Sequence, residues 1–457
     1  MRSVLLRLLL SAIVPVLGAC GGAKASVAPQ GDDAGGETSL ESDAVPDVAT
    51  DAADAADAAE TSFDAQLPAD ADFISLSSAS AMESETHLVA LPDGSLVAAW
   101  IAIGSGGSQS DIGYAFRSQG GPTWGAPKVI SALDGRVSSD PVLAVDAQGD
   151  VYLTWLGLRF DNAGNASDMV LYVSAAKVGE TAFATPVAVT TDATAQYDKP
   201  WITVLPDGSI VVTYAKTSSG GLYAARSMDG GGHWTSSVIV EDGGFRNLAF
   251  PCYDPQKKRL YVTYSTGSGI GLRFSDDGGG SWNPNGTAVA ASGEQPAFDD
   301  PTCVAYGGEV WISYGLTHDT VNDATSSPKL DALRIAHSPD GGASIDRRAN
   351  ALDGAAYGMH PYLVREDGGA LDLAYYAGNA DNDPQGSLRF RRSPDGGQSW
   401  GASAVLRQPI LFTGDRASAQ WLGDYFGVVT TGGVLHTSYV LNLPQVAHVA
   451  HAQAPLP

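Results

Sequence analysis

Apolar and polar positions alternate in short runs along most of the chain, and the runs are joined by tight turns. In Asp198–Tyr214, "DKPWITVLPDGSIVVTY", a strand leads into a Pro-Asp-Gly turn and then into a second strand rich in β-branched residues. The same unit recurs as a turn followed, after a few alternating residues, by an aromatic: Trp100, Trp155, Tyr214, Tyr264, Tyr314, Tyr375 and Tyr439, spaced by 55, 59, 50, 50, 61 and 64 residues. A third run follows most of these aromatics ("GLYAARS", "GLRFS", "LRIAHS", "SLRFRRS"), and a short fourth run follows that ("APKVIS"). Four short antiparallel strands repeated at this period predict an all-β fold, a β-propeller of four-stranded blades. Seven blades fit the count best, with six or eight still compatible. The last unit ends on a third strand, "VAHVAHAQ", while "DFISLSSAS" from Asp72 reads as a fourth strand without a unit. The expectation is therefore a ring closed by the N-terminal strand, leaving no open sheet edge.

A second pattern sits between the third and fourth strands. Ser-x-Asp-Gly-Gly-x-x-Trp is complete at Ser227/Asp229/Gly231/Trp234, Ser275/Asp277/Gly279/Trp282 and Ser393/Asp395/Gly397/Trp400. It is degenerate at Ser338/Asp340/Gly342, where Ile345 replaces Trp, and at Ser118/Gly120/Gly121/Trp124, which lacks the Asp. Ser and Asp side chains bond local amides, glycines supply positive φ, and the Trp covers apolar surface, so the motif reads as a structural turn. These residues resemble the Asp-box, or BNR, repeats of the sialidase-like β-propeller superfamily. The resemblance covers residues 72–457 and implies that the boxes lie on the rim away from any active site.

The N-terminal part reads differently. "MRSVLLRLLLSAIVPVLGAC" has a positive start, a short apolar stretch and a Leu-Gly-Ala-Cys ending that resembles the lipobox of bacterial lipoproteins. The resemblance implies a signal peptide over residues 1–19 and a lipid anchor on Cys20, with Gly21 favouring the outer membrane of a Gram-negative cell envelope. From Gly21 to Asp72 there are 13 acidic residues against one Lys and almost no large apolar side chain. Residues 20–71 are therefore expected to be a disordered acidic tether. The formal net charge of −25 argues against nucleic acid as a partner. Of the three Cys, Cys252 and Cys303 show no metal-ligand spacing. They read as two buried thiols, with a disulfide left open by the extracytoplasmic setting.

Candidate chemistry lies where the loops enter each innermost strand. Aligning the units on their turns gives one ring of Glu85, Asp140, Lys199, Asn247, Asp300, His360 and Tyr425, and an adjacent ring of Ser84, Ser139, Asp198, Arg246, Asp299, Met359 and Asp424. Converging carboxylates of this kind serve acid–base or ligand-binding roles, or simply turn the chain into its strand. The resemblance to sialidases implies three arginines for a substrate carboxylate, a Tyr nucleophile activated by a Glu, and an Asp acid/base. The Arg-Ile-Pro motif that carries the first of those arginines is absent. Arg136, Arg246 and Arg416 all fall in ligand-face loops, and Tyr425 is among the candidate tyrosines. Arg246, alone in place of Asp198, Asp299 and Asp424, is the preferred anion contact. The Asp/Asn-rich loops Gly157–Asp168 and Leu316–Asp331 lack a dedicated calcium spacing, and His318 and His360 have no second ligand for zinc, so neither a metal nor a cofactor is expected. The expected function is a non-catalytic binding or scaffolding module with a glycan or protein ligand on the propeller face. An exo-acting glycoside hydrolase of sialidase type and a structural envelope protein are the alternatives.

Overall fold

The computed structural model describes residues 72–456 apart from 76–79, 105–108, 162–164, 193, 236, 298, 318–329, 379–384, 413–420 and 444–445. Cys20, the acidic segment 20–71, Arg416 and His318 lie outside the described residues, as does most of the loop Leu316–Asp331.

The described residues form 28 β-strands and no helix. The chain opens with β1 (Asp72–Phe73), β2 (Ser80–Ala90), β3 (Leu96–Gly104), β4 (Ser110–Arg117) and β5 (Lys128–Ile130). Unit two holds β6 (Val137–Val145), β7 (Val151–Phe160), β8 (Ala166–Ala176) and β9 (Val187–Ala188). Unit three holds β10 (Tyr197–Val204), β11 (Ile210–Lys216), β12 (Leu222–Ser227) and β13 (Val238–Glu241). Unit four holds β14 (Asn247–Asp254), β15 (Arg259–Ser265), β16 (Ile270–Ser275) and β17 (Thr287–Ala288). Unit five holds β18 (Thr302–Tyr306), β19 (Glu309–Leu316), β20 (Ala332–Ser338) and β21 (Arg347–Asn350). Unit six holds β22 (Tyr357–Arg365), β23 (Leu371–Gly378), β24 (Gln385–Ser393) and β25 (Ala404–Leu411). The last unit holds β26 (Gly427–Thr431), β27 (Val434–Leu443) and β28 (Val446–Pro455).

Units two to six are separate four-stranded antiparallel sheets, each in simple up-and-down order. The first and last units are not separate. They run together as one eight-stranded sheet in the order β26-β27-β28-β2-β3-β4-β5, with β1 paired to β28 beside this path. The architecture is thus an all-β propeller of four-stranded antiparallel blades, but with five independent sheets and one double sheet where seven independent blades were expected. The fusion rests on a single parallel bridge, Met82 to Ala447. The N-terminal strand pairs where its sequence suggested, with Asp72 opposite His451 and Phe73 opposite Ala450. The first strand of each unit touches that of the next, from β2 through β6, β10, β14, β18 and β22 to β26, and β26 touches β2.

The aromatics that set the repeat are all buried. Two of them explain glycines in the neighbouring strand. Trp100 lies opposite Gly113 and Tyr264 opposite Gly271, and a Cβ on either glycine would fall within 2.4 Å of the ring. The missing side chain leaves the space that the aromatic fills.

The Ser-Asp-Gly turns share one set of bonds. Ser227, Ser275, Ser338 and Ser393 each donate Oγ–H to the Asp two residues on, at 2.8–3.0 Å, and accept the amide of Gly231, Gly279, Gly342 and Gly397, at 2.7–2.9 Å. The Asp carboxylates then accept the amide four residues on. Both glycines of each pair have positive φ. Each second glycine lies against the preceding unit: Gly231 at Val173, Gly279 at Val211, Gly342 at Leu272 and Gly397 at Ile335. The turn therefore pins one sheet to its neighbour. Trp234, Trp282 and Trp400 pack on apolar clusters but remain only half-buried.

Cys252 of β14 and Cys303 of β18 are bonded as a disulfide, with Cα atoms 5.8 Å apart. Buried free thiols were the expectation. Packing of the adjacent innermost strands β14 and β18 brings the two together, a proximity that spacing of 51 residues does not reveal.

Candidate functional site

Five innermost strands carry the same irregularity. The register slips between Ser84 and His87, Ser139 and Val142, Asp198 and Trp201, Asn247 and Phe250, and Met359 and Tyr362. In each slip one non-glycine residue takes a left-handed φ: Glu85, Asp140, Lys199, Leu248 and His360, between 45° and 58°. A bulge of this kind inserts an extra residue and re-aims the side chains around it.

These slips correct the fourth unit of both rings. Leu248 holds the place equivalent to Lys199, Asn247 the place of Asp198, and Arg246 lies one residue outside. The cause is a longer turn. Residues 254–259 lie between the paired Tyr253 and Leu260, against 205–209 between Val204 and Ile210. The longer turn is held by Asp254, whose carboxylate accepts the amides of Gln256 and Lys257 and, from the next unit, those of Gly307 and Gly308. Counting back from the turn therefore overshoots by one.

Lys199 is the centre of the site. Its Nζ lies 3.0 Å from Glu85 Oε1, 2.6 Å from Asp424 Oδ2 and 2.7 Å from Asp140 Oδ1, the last an ion pair outside hydrogen-bond angles. Four units meet there. Burial disfavours the ammonium, but Asp140, Asp424, Glu85 and Asp198 outweigh it and hold Lys199 well above the ordinary lysine range. The other carboxyl oxygen of Glu85, Oε2, accepts the Asp140 amide at 3.3 Å. Asp198 accepts from Asn247 Nδ2 at 2.7 Å and from the Lys199 amide at 3.0 Å. Burial, reinforced by Asp140, lifts Asp198 to about 6 against the pull of Lys199. Asp299 takes the His360 ring at 2.8 Å, the His360 amide at 2.9 Å and the Asp300 amide at 3.0 Å. Asp300 has both carboxyl oxygens buried and without a partner among the described residues. Tyr425 donates to the Pro141 carbonyl at 3.1 Å, and the Lys199 ammonium lies 5.6 Å from its ring. Burial, then Glu85 and Asp140, push its phenol well up, so it stays protonated.

A layer that sequence reasoning missed adjoins this one. His87, Trp201, Phe250 and Tyr362 pack ring to ring, with centroids 4.4–6.3 Å apart, and Tyr425 touches Trp201. Burial drops His87 to about 3. It accepts the Leu143 amide on Nδ1 and so donates through Nε2 to Tyr362. The signal was present two residues beyond four of the five bulges, in Glu85-Thr86-His87, Lys199-Pro200-Trp201, Leu248-Ala249-Phe250 and His360-Pro361-Tyr362.

The structure brings Asp140, Asp198, Asp300, His360, Asp424 and Tyr425 into or beside this cluster. The two described arginines are bonded elsewhere. Arg136 is paired with Asp168 at 2.8 Å and Asp134 at 3.3 Å. Arg246 donates to the Phe245 carbonyl at 2.7 Å and lies 3.5 Å from Glu241. In the loop Gly157–Asp168, Asp161 bonds Asn165 while Asp168 takes Arg136 and Arg159. Among the described residues, no group of three or more His, Cys, Asp or Glu is placed to hold a metal ion.

The sequence matches no protein-family profile and no curated protein. Solved structures of similar shape include a protein of unknown function from Dyadobacter fermentans, at 16% identity and a TM-score of 0.49, covering 70% of this chain and 95% of that one. The NanB sialidase of Streptococcus pneumoniae is similar over 84% of this chain and 70% of its own, at 12% identity and a TM-score of 0.48. The α-L-arabinofuranosidase Arb93A of Fusarium graminearum is similar over 82% of this chain and 93% of its own, at 13% identity and a TM-score of 0.43.

Proposed function

We propose that this chain is a non-catalytic binding module that presents the loop face of a propeller to glycans. In the same reading, lipid on Cys20 and the acidic tether hold it at the outer membrane, and the double sheet acts as two adjoining blades of a seven-unit ring. The observation that carries the binding function is the state of Lys199. Its ammonium donates to Glu85 and Asp424 and is ion-paired with Asp140, carboxylates from three other units, so its charge is spent on joining the units rather than on a substrate. Arg136 and Arg246 are engaged with Asp168 and Glu241, and Tyr425 with a backbone carbonyl. Glu85 lies near Tyr425 but is bonded to Lys199, so a Tyr nucleophile activated by this Glu is not the arrangement these residues favour.

The test is a glycan array probed with the mature protein, run beside fluorogenic sialoside and arabinofuranoside assays. Saturable binding without turnover is the expected outcome. Turnover that survives purification and is lost in a Tyr425→Phe variant would overturn the reading in favour of a glycoside hydrolase. Anchoring is checked separately: acyl-modified Cys20 is expected by mass spectrometry, and Cys20→Ser should release the protein from membranes.

A further inference from the structure

Every carboxylate around Lys199 but one is accounted for. Glu85, Asp140 and Asp424 take the ammonium, Asp198 takes Asn247, and Asp299 takes His360. Asp300, two residues before β18, is only 4% exposed and meets no donor at either oxygen among the described residues. A buried polar group left in that state is unfavourable and calls for a partner. Its electrostatic neighbours are Lys199, Asp299, Asp424 and Asp140, so it faces the same cluster. Asp424 is the member open to solvent, with a side chain 26% exposed, and it marks the way in.

The surroundings decide what that partner is. An anion would meet Asp140, Asp299 and Asp424, and the charge of Lys199 is already balanced by Glu85, Asp140 and Asp424. A hydroxyl would satisfy one bond and leave the excess of negative charge in place. A primary ammonium suits the chemistry, since the cluster already holds one in Lys199. We propose that Asp300, with Asp424 at the entrance, receives the ammonium of an amino sugar. This rests on the glycan-binding reading above and narrows it to sugars bearing a free amine. Before binding, burial beside the other acids favours the protonated form of Asp300 despite Lys199. On binding, its O–H bond breaks, the proton leaves to solvent, and the carboxylate accepts N–H bonds from the ligand cation. No other covalent bond changes. The charged or titratable groups facing the exchange are Glu85, Asp140, Asp198, Lys199, Asp299, His360, Tyr362, Asp424 and Tyr425.

The experiment is calorimetric titration of the mature protein with glucosamine oligomers, N-acetylglucosamine oligomers, glucose oligomers and 3′-sialyllactose, in phosphate and in HEPES buffer. Glucosamine oligomers are expected to bind at least about ten-fold more tightly than the acetylated ones. Their heat should differ between buffers in the sense of proton release. Asp300→Asn, nearly isosteric, should lose both the preference and the release while melting as the wild type does. Equal affinity for free and acetylated amines, or no buffer dependence in the wild type, overturns the proposal, and so does an unchanged preference in Asp300→Asn. Binding of neutral sugars alone leaves the glycan reading standing and removes this one. Binding of no saccharide at all removes both.

Discussion

At the scale of single residues, Lys199 joins what the strands alone leave apart. Removing one partner from a buried ion-pair group costs more than the group contributes net, because the others remain buried and unpaired. Lys199→Met should therefore destabilise the protein by about 3–5 kcal/mol in urea unfolding near neutral pH. The deficit should shrink as the pH falls, because acid neutralises carboxylates left buried without a cation. A loss below about 1 kcal/mol would mean that the cluster is solvated and the ammonium is not a tie between units. The positions of this cluster were legible in the sequence, because turn and aromatic fall at a constant distance from the bulge in most units. Its chemistry was not. Nothing in the spacing of Lys199 and Asp424 says that they meet, since they come from different units. Arg246 was misplaced because one additional turn residue, stabilised by Asp254 reaching into the next unit, breaks the count.

At the scale of elements, the Ser-Asp-Gly turn acts as a clip between adjacent sheets. Its bonds recur at the degenerate Ser338/Asp340 site, which lacks the Trp, so the hydroxyl and carboxylate form the turn and the indole adds cover. Trp400 is half-buried on the apolar cluster of units five and six. Trp400→Ala should accordingly cost about 2 kcal/mol, less than the roughly 3–5 kcal/mol of a fully buried Trp. Ser393→Ala, which strips donor and acceptor from a buried turn, should cost about 1–2 kcal/mol. Thermal melting of the two variants separates the roles: a Trp400 variant that matches the wild type would make that residue a surface contact. A second link joins β14 to β18 through Cys252 and Cys303 across 51 residues. Chain-entropy reasoning puts its contribution at about 4 kcal/mol. Denaturant midpoints of the wild type and a Cys252→Ser/Cys303→Ser pair, compared under non-reducing conditions, should differ by an amount of that order. Neither link was readable as a contact from sequence, because strand pairing within a unit is local and packing between units is not.

At the scale of the whole molecule, the first and last described strands meet in a titratable seam. Asp72 of β1 lies 2.9 Å from His451 Nδ1 in β28 and 3.0 Å from Arg117 in β4. Arg117 also lies 3.0 Å from His451 Nδ1, a nitrogen that accepts from the guanidinium in one tautomer and donates to the Asp72 carboxylate in the other. His451 Nε2 lies 3.2 Å from His436 Nδ1, one nitrogen donating and the other accepting, and the two rings stack with centroids 5.4 Å apart. The bond between the rings needs at least one of the two imidazoles neutral. Burial, then the charge of His451 and Arg117, lowers His436 from 6.5 to about 4, and burial lowers His451 against the pull of Asp72. A histidine whose folded value is depressed binds protons less well when folded. Its stabilisation is complete above the unfolded value of 6.5 and is lost as the pH falls through about 4. For His436 the linkage is at most about 3 kcal/mol. Asp198 works the other way in an overlapping window, because its folded value is raised to about 6 and acid therefore favours the folded form. The wild-type profile alone would mix the two. The difference between the wild type and His436→Phe isolates the seam: the variant should lose less stability between about pH 7 and about pH 4. Parallel profiles would show that the pairing of β1 with β28 does not depend on the charge of this histidine pair. A variant that loses more would show that His436 gains a partner when protonated, which reverses the sign argued here.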